Sequence, residues 1–450
     1  MYRADAALLP DGIARDVAIA VADGRIASVA AGAPPAAGET HMAGLVLPGM
    51  ANLHSHAFQR AMAGLAEWDA QGKDNFWSWR EAMYRFAERL DPESAHAIAR
   101  FLYIEMLKAG YTAVGEFHYL HNAPGGRAYA PAAAMAHAIA EAALDTGIAL
   151  TMLPTLYMQG GVDSRPLSER QKLFAKSVAE ILSLRESMRG HAGVTALGLA
   201  LHSLRAVPTE AAREAIAGIE ADAPLHIHAA EQTGEVEECL ARWGMRPVEY
   251  ILQAFAPNAR WCLIHATHMT EEEAHGLARS GAVAGLCPTT EANLGDGVFS
   301  LACYLDAAGR IGIGGDSHVA VDPAEELRAM EYAQRLVLQR RNVAASTEEP
   351  HTASRLWRLA AAGGAQALGL KAGAIAPGRR ADLVVIDADH SSLAARDSAQ
   401  MLDTYVFVAG KDAVRDVMVG GDWVVENRRH AREDDARRDY VSALARLTGG

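Results

Sequence analysis

Pro48-Gly49-Met50-Ala51-Asn52-Leu53-His54-Ser55-His56 packs a break, a short apolar run and a polar ending into one stretch of chain. Pro48-Gly49 punctuates the sequence, and the run from Met50 has the length of a buried strand. Two imidazoles close it. Seven further runs follow the same pattern: Thr112–His118, Ile148–Tyr157, Val194–His202, Pro224–Ala229, Ala259–His265, Gly281–Pro288 and Arg310–Asp316. Segments with helical spacing lie between them, among them Ser168–Arg189, Thr209–Ala221, Glu235–Phe255 and Pro323–Arg341. Eight strand candidates separated by helices predict an α/β fold, a parallel (β/α)8 TIM-like barrel, over a length near the ~250 residues usual for it.

The flanks read differently. Val17–Val21 and Arg25–Val29 enclose Ala22-Asp23-Gly24, a hairpin-turn signal. Past Lys371 the texture returns to strands at Ala381–Ile386, Thr404–Val408 and Asp416–Val419. The expected organisation is a barrel over 49–370 and a small β-sandwich domain built from both chain ends, 1–48 and 371–450. The charged, periodic stretch Asn427–Leu447 is expected to form a surface helix.

The chain has 450 residues, 50% hydrophobic and 22% charged, as expected of a globular protein rather than a disordered or fibrous one. A net charge of -13 argues against a nucleic-acid partner, which demands a basic face. No segment reaches the roughly 20 apolar residues that span a bilayer, and Met-Tyr-Arg-Ala-Asp carries no leader pattern. The four cysteines form no CxxC pair and sit in apolar stretches. A cytoplasmic setting is expected, with no membrane partner.

Barrel active sites lie at the C-terminal strand ends. There this sequence places His54 and His56, Glu116 and His118, Tyr157, His202, His228, His265 and Asp316. Residues i and i+2 of a strand share a face, so His54 and His56 can reach one cation at about 2.0–2.1 Å. An isolated His-x-His also reads as a packed core pair, and His226-Ile227-His228 is a second one. Strand-end position favours ligation for His54, His56 and His228, and leaves His226 one layer lower in the core. Glu231, in the turn after His228, either opens the next helix or shuttles protons at a metal-held water. Asp316 follows two glycines, and a buried carboxylate is costly unless paired or on a metal. It is expected to bind the metal and to accept a proton, whereas His268 and His318 are expected to be bystanders. No lysine lies between Lys176 and Lys371, so a two-metal centre bridged by a modified lysine on the fourth strand is excluded. The expectation is one divalent ion on His54, His56, His228 and Asp316 with one open position, zinc or iron(II) by donor type.

These motifs resemble the amidohydrolase superfamily and its deaminase branch: Leu47–His56, His228-Ala-Ala-Glu231, His265, Asp316, and Pro377-Gly-Arg-Arg-Ala-Asp-Leu-Val-Val-Ile-Asp387. Within the branch, His56–Gly64, Asn75–Ala87, Gly115–His121 and His202–Arg205 resemble the enzymes that hydrolyse formimino groups. The resemblance implies Glu231, His265 and Asp316 in catalysis, a homodimer, and a small substrate with two carboxylates. Arg80 and Arg205 offer planar forks for those carboxylates, and Gln59, Tyr119 and His202 further hydrogen bonds. Trp77 and Trp79 are expected to pack rather than touch substrate. Glu116, His118 and His121 are open, with orientation of the ligands as one role. A deaminase of a purine, pterin or other heterocycle is the alternative, and would need fewer arginines and more stacking groups. A non-catalytic binding protein on this fold would be marked by loss of Glu231 or Asp316, and both are present.

Overall fold

The computed structural model describes residues 1–68, 72 and 74–449. Four strands open the chain: β1 (Tyr2–Leu9), β2 (Gly12–Ala22), β3 (Arg25–Ala30) and β4 (Thr40–Pro48). The barrel strands are β5 (Met50–Ser55), β6 (Tyr111–His118), β7 (Ala149–Leu156), the two-residue β8 (Ala196–Leu197) with β9 (Leu199–Ser203), β10 (Leu225–Ala229), β11 (Trp261–His265), β12 (Val283–Leu286) and β13 (Arg310–Ile313). The chain closes with β14 (Leu383–Ile386), β15 (Val414–Val419), β16 (Asp422–Glu426) and β17 (Arg429–His430). Each apolar run of the barrel region became a strand, because a strand covered on both faces needs continuous apolar residues rather than alternation.

The barrel is parallel and closed, running β6-β5-β13-β12-β11-β10-β9-β7 with β6 pairing β7. Register aligns the chemistry: Ser55 pairs Glu116 and Asp316, and Ala229 pairs His265. The helix Thr352–Ala367 lies on β13 and β5 at close range. A Cβ on Gly363 would fall 1.9 Å from the Ile311 carbonyl oxygen, and one on Gly364 3.0 Å from Ala51 Cβ. This glycine pair lets the helix seat against the strands that carry His54 and precede Asp316.

The two chain ends form one eight-stranded sheet, β17-β16-β15-β14-β4-β1-β2-β3. Its far ends approach through an Arg25–Arg380 bridge, with Ile26 N–H donating to Arg379 C=O. The sheet thus curls around a core of its own, including Val17, Ile19, Ile26, Leu383, Val385 and Met418.

Four expectations need correction. Thr404–Val408, read as a strand from its β-branched and aromatic residues, is helical. An Asp397/Gln400 capping box starts the helix Ser398–Thr404, which continues as a π turn over Tyr405–Ala409. Packing overrides local propensity there: Tyr405 is fully buried beside Trp357, and Phe407 stacks on Tyr332. Glu235–Phe255 is two helices, Thr233–Trp243 and Pro247–Phe255, because Gly244 adopts φ +68° and Pro247 starts the second. Ser168–Arg189 likewise divides into a 3-10 turn at Arg170–Leu173 and a helix Val178–Ser187. The C-terminal helix begins only at Glu433, after the β16–β17 hairpin, and stacks Tyr440 on Phe101 at 4.3 Å. Among the described residues no helix is long and apolar enough to cross a membrane.

Candidate metal centre and substrate pocket

Three imidazoles and a carboxylate from β5, β10 and the end of β13 converge at the barrel mouth. His54 Nε2 lies 3.1 Å from His228 Nε2, and Asp316 Oδ1 lies 3.5 Å from both His54 Nε2 and His56 Nε2. His56 Nδ1 is 3.0 Å from the Phe117 carbonyl oxygen, and His228 Nδ1 is 2.8 Å from that of His202. A carbonyl accepts only, so each Nδ1 carries the proton and each Nε2 presents a lone pair to the centre. Burial pushes all three histidines below the usual imidazole range, which keeps them neutral. The lone pairs of His56 and His228 and the Asp316 carboxylate converge on one point, and a cation there removes their mutual repulsion. The donor set therefore fits one divalent metal, as the sequence predicts for His54, His56, His228 and Asp316.

The strand holding His54 and His56 is fastened from below. Glu116 accepts from Ser55 Oγ at 2.6 Å, Ala57 N–H at 2.8 Å and the Tyr103 hydroxyl at 3.2 Å. Burial lifts its carboxyl to about 7. Ser55 Oγ also meets His318 Nε2 at 2.9 Å, so His318 braces this strand. His268 is tied to the Asp296 carbonyl instead. His226, one layer below His228, bonds the Ala367 carbonyl at 2.8 Å, and His121 bonds that of Thr155 at 2.9 Å. His118 packs against His121 at 5.2 Å and does not line the pocket.

Burial holds His121 and His226 neutral, each pushed down to about 4. The unfolded chain protonates such groups near pH 6.5. Their contribution to stability is therefore complete above about pH 6.5 and is lost as pH falls toward 4. A thermal midpoint that stays level across that window would contradict the burial of these rings.

Beside the metal donors stands a second charged cluster. His265 Nε2 lies 3.7 Å from Glu231 Oε1 and 3.8 Å from Asp316 Oδ2, and its Nδ1 lies 3.2 Å from Glu291 Oε1. Burial alone would lower His265, but the carboxylates of Glu231, Asp316 and Glu291 outweigh it and lift the imidazole to about 10. Burial raises Glu231, opposed by His265 and Arg205. Sharp turns aim these groups: His265 has φ +69° and Asp316 φ +49°, a backbone region that costs a non-glycine residue about 1–3 kcal/mol.

The remaining sequence-predicted residues line the same pocket: Gln59, Arg80, Tyr119, His202 and Arg205. Gln59 Nε2 donates to the Tyr119 hydroxyl at 2.9 Å, and its buried Oε1 has no donor among the described residues. His202 sits between Tyr157 and His228, with ring centres 4.5 and 5.0 Å away. Burial lowers it, and the charges of Arg205 and Arg80 lower it further. Arg205 faces Glu231 at 3.8 Å and Glu235 at 3.9 Å, and its buried Nε makes no hydrogen bond among the described residues. Trp77 lies under both guanidinium groups, 5.6 Å from Arg80 and 5.7 Å from Arg205. Trp79 lines the pocket, where sequence reading expected packing alone. Sequence reading also missed Glu291 and Glu235, which belong to ordinary-looking helical stretches and carry no strand-end signal.

The amidohydrolase family profile matches residues 45–424, and that described as "Formimidoylglutamate deiminase HutF, N-terminal domain" matches residues 3–43. The formimidoylglutamate deiminase of Pseudomonas aeruginosa is 48% identical, over 99% of this chain and 98% of its own. The 8-oxoguanine deaminase of the same organism is 30% identical over 85% of this chain and 82% of its own. An amidohydrolase crystal structure from Brucella melitensis superposes with a TM-score of 0.94 at 44% identity, covering 99% of each chain. An adenosine deaminase from Xanthomonas campestris with bound zinc shares the fold at a TM-score of 0.81 and 21% identity, covering 100% of this chain and 98% of that one.

Proposed function

The chain belongs to the amidohydrolase family, and from that premise we propose that it hydrolyses N-formimino-L-glutamate to N-formyl-L-glutamate and ammonia, a step of histidine degradation. The observation that carries the reading is the pairing of a His/Asp donor set with two arginines in one pocket. That combination suits a formimino carbon at one end of a small dicarboxylate. The formimidoylglutamate deiminase relative, at 48% identity over nearly all of both chains, supports it.

A divalent ion on His54, His56, His228 and Asp316 supplies Lewis acidity and a water acidic enough to attack near neutral pH. Zinc suits this donor set, with iron(II) the alternative. Arg80 and Arg205 hold the carboxylates and Gln59, Tyr119 and His202 complete the grip, so the reacting carbon is presented in line. The water oxygen bonds to the formimino carbon. Glu231, raised by burial, carries one water proton to the imino nitrogen. His265, held as an imidazolium, steadies the negative charge that develops beside it. Asp316 keeps the other proton until the C–N bond breaks, and ammonia leaves with both. The proposal extends to a cytoplasmic homodimer, consistent with four cysteines that remain free thiols.

Ammonia release from formiminoglutamate, run beside 8-oxoguanine and adenosine, tests this reading. Release from the heterocycles alone overturns it. Arg205→Lys should raise KM by about tenfold with a smaller change in kcat, since an ammonium cannot form the bidentate fork. Unchanged kinetics would move the carboxylate clamp to other residues.

A further inference from the structure

We infer that Tyr157 and Gln171 are positioning residues that set Arg80 against the second carboxylate of the substrate, which makes them determinants of dicarboxylate specificity. The inference rests on the reading just given and names how one end of the substrate is recognised.

The two pocket arginines differ in their electrostatics. Arg205 is balanced by Glu231 and Glu235 at 3.8 and 3.9 Å. Arg80 pairs with no carboxylate among the described residues. It lies over the rings of Trp77 and Tyr84, and Nη2 donates to the Tyr157 hydroxyl at 3.2 Å. A guanidinium in a pocket without a counter-ion is costly until an anion arrives. Arg80 is therefore where an incoming negative charge gains most.

Tyr157 is 2% exposed, and its hydroxyl oxygen accepts a second hydrogen bond from Gln171 Nε2 at 2.9 Å. The Gln171 amide is not free to turn over, because its Oε1 accepts from the Ser168 N–H at 2.9 Å. Gln171 thus fills one side of the Tyr157 hydroxyl oxygen from a fixed direction, and Arg80 donates from another. This fixes the direction from which Arg80 is held. Aromatic faces alone leave a guanidinium free to slide, and the Tyr157 hydroxyl, with that of Tyr84 beside it, restricts that freedom. Gln171 comes from the segment after β7, whereas Arg80 rides on the helix Phe76–Ala87. The adjacent Arg170 ties the same two segments through Glu81 at 3.0 Å and Glu88 at 3.5 Å. The clamp is assembled from that helix and the 3-10 turn Arg170–Leu173, which meet at the Tyr157 hydroxyl.

The test is calorimetric titration of the metal-loaded enzyme with glutarate, a dicarboxylate without a reacting group, and with glutaramide, which has the same length and no charge. Tyr157→Phe and Arg80→Ala should each weaken glutarate binding about tenfold, and the double variant should be no more than about twofold worse than Arg80→Ala alone. Glutaramide should bind wild type and Tyr157→Phe alike. Gln171→Ala, which leaves the buried ring in place, should weaken glutarate severalfold in the same direction. Unchanged glutarate affinity in Tyr157→Phe, additive losses in the double variant, or equal losses for both ligands would overturn the inference. Ammonia release by the wild type is scored separately. An enzyme that binds glutarate through Tyr157 yet leaves formiminoglutamate intact refutes the reaction and not the clamp.

Discussion

Glu231→Gln should slow turnover by at least about 10²-fold, within the 10²–10⁴ range of a lost general acid–base group, while the fold and the metal donors stay intact. The substitution conserves volume, and the Glu231 carboxylate holds no backbone in place. Its neighbours are Arg205 at 3.8 Å and His265 at 3.7 Å, charged contacts rather than hydrogen bonds. A glutamine cannot accept and return a proton. It also removes the largest of the negative charges that lift His265, so the imidazolium becomes easier to deprotonate. Circular dichroism and metal content serve as controls. A variant that turns over normally refutes the shuttle role.

Asp316→Asn should be comparably severe, with turnover down by about 10³-fold or more and a loss of bound metal. Asp316 is the one anionic donor among the four converging groups, so its charge offsets more of the cation's than any imidazole does. The amide would also bring N–H groups, or a weaker neutral oxygen, to the position 3.5 Å from His54 and His56. Its left-handed backbone, φ +49°, tolerates asparagine well, so the effect should lie in the site rather than in folding. Elemental analysis per chain and ammonia release are the two readouts. An Asn variant that retains a full metal complement and normal rates would show that Asp316 is not a ligand.

Much of this arrangement could be read before any coordinates. His54, His56, His228, His265 and Asp316 stood out because a polar group ending an apolar run has few structural reasons to be there, and barrel closure brings strand ends together. Arg80 and Arg205 needed the family resemblance, since an arginine in a helix or after a strand is ordinary in itself. What stayed hidden depends on three-dimensional neighbours. Glu291 acts only because the helix Pro288–Leu294 returns over β11. Gln171 acts only because its segment folds back on Tyr157. The residues Thr404–Val408 misled because aromatic and β-branched side chains favour strands only where a neighbouring strand is available. In this protein Tyr405 instead finds Trp357 and a helical start already capped by Asp397.

The sheet shared by the chain ends also bears on synthesis. During translation β4 emerges early, yet its antiparallel partner β14 begins only at Leu383, after the whole barrel has been made. Until then one edge of the N-terminal strands is bare and open to pairing with a neighbouring nascent chain. A ribosome stalled short of that point would hold a closed catalytic cylinder above an unfinished, adhesive sheet. A chain cut short before Leu383 would leave that edge of β4 exposed permanently.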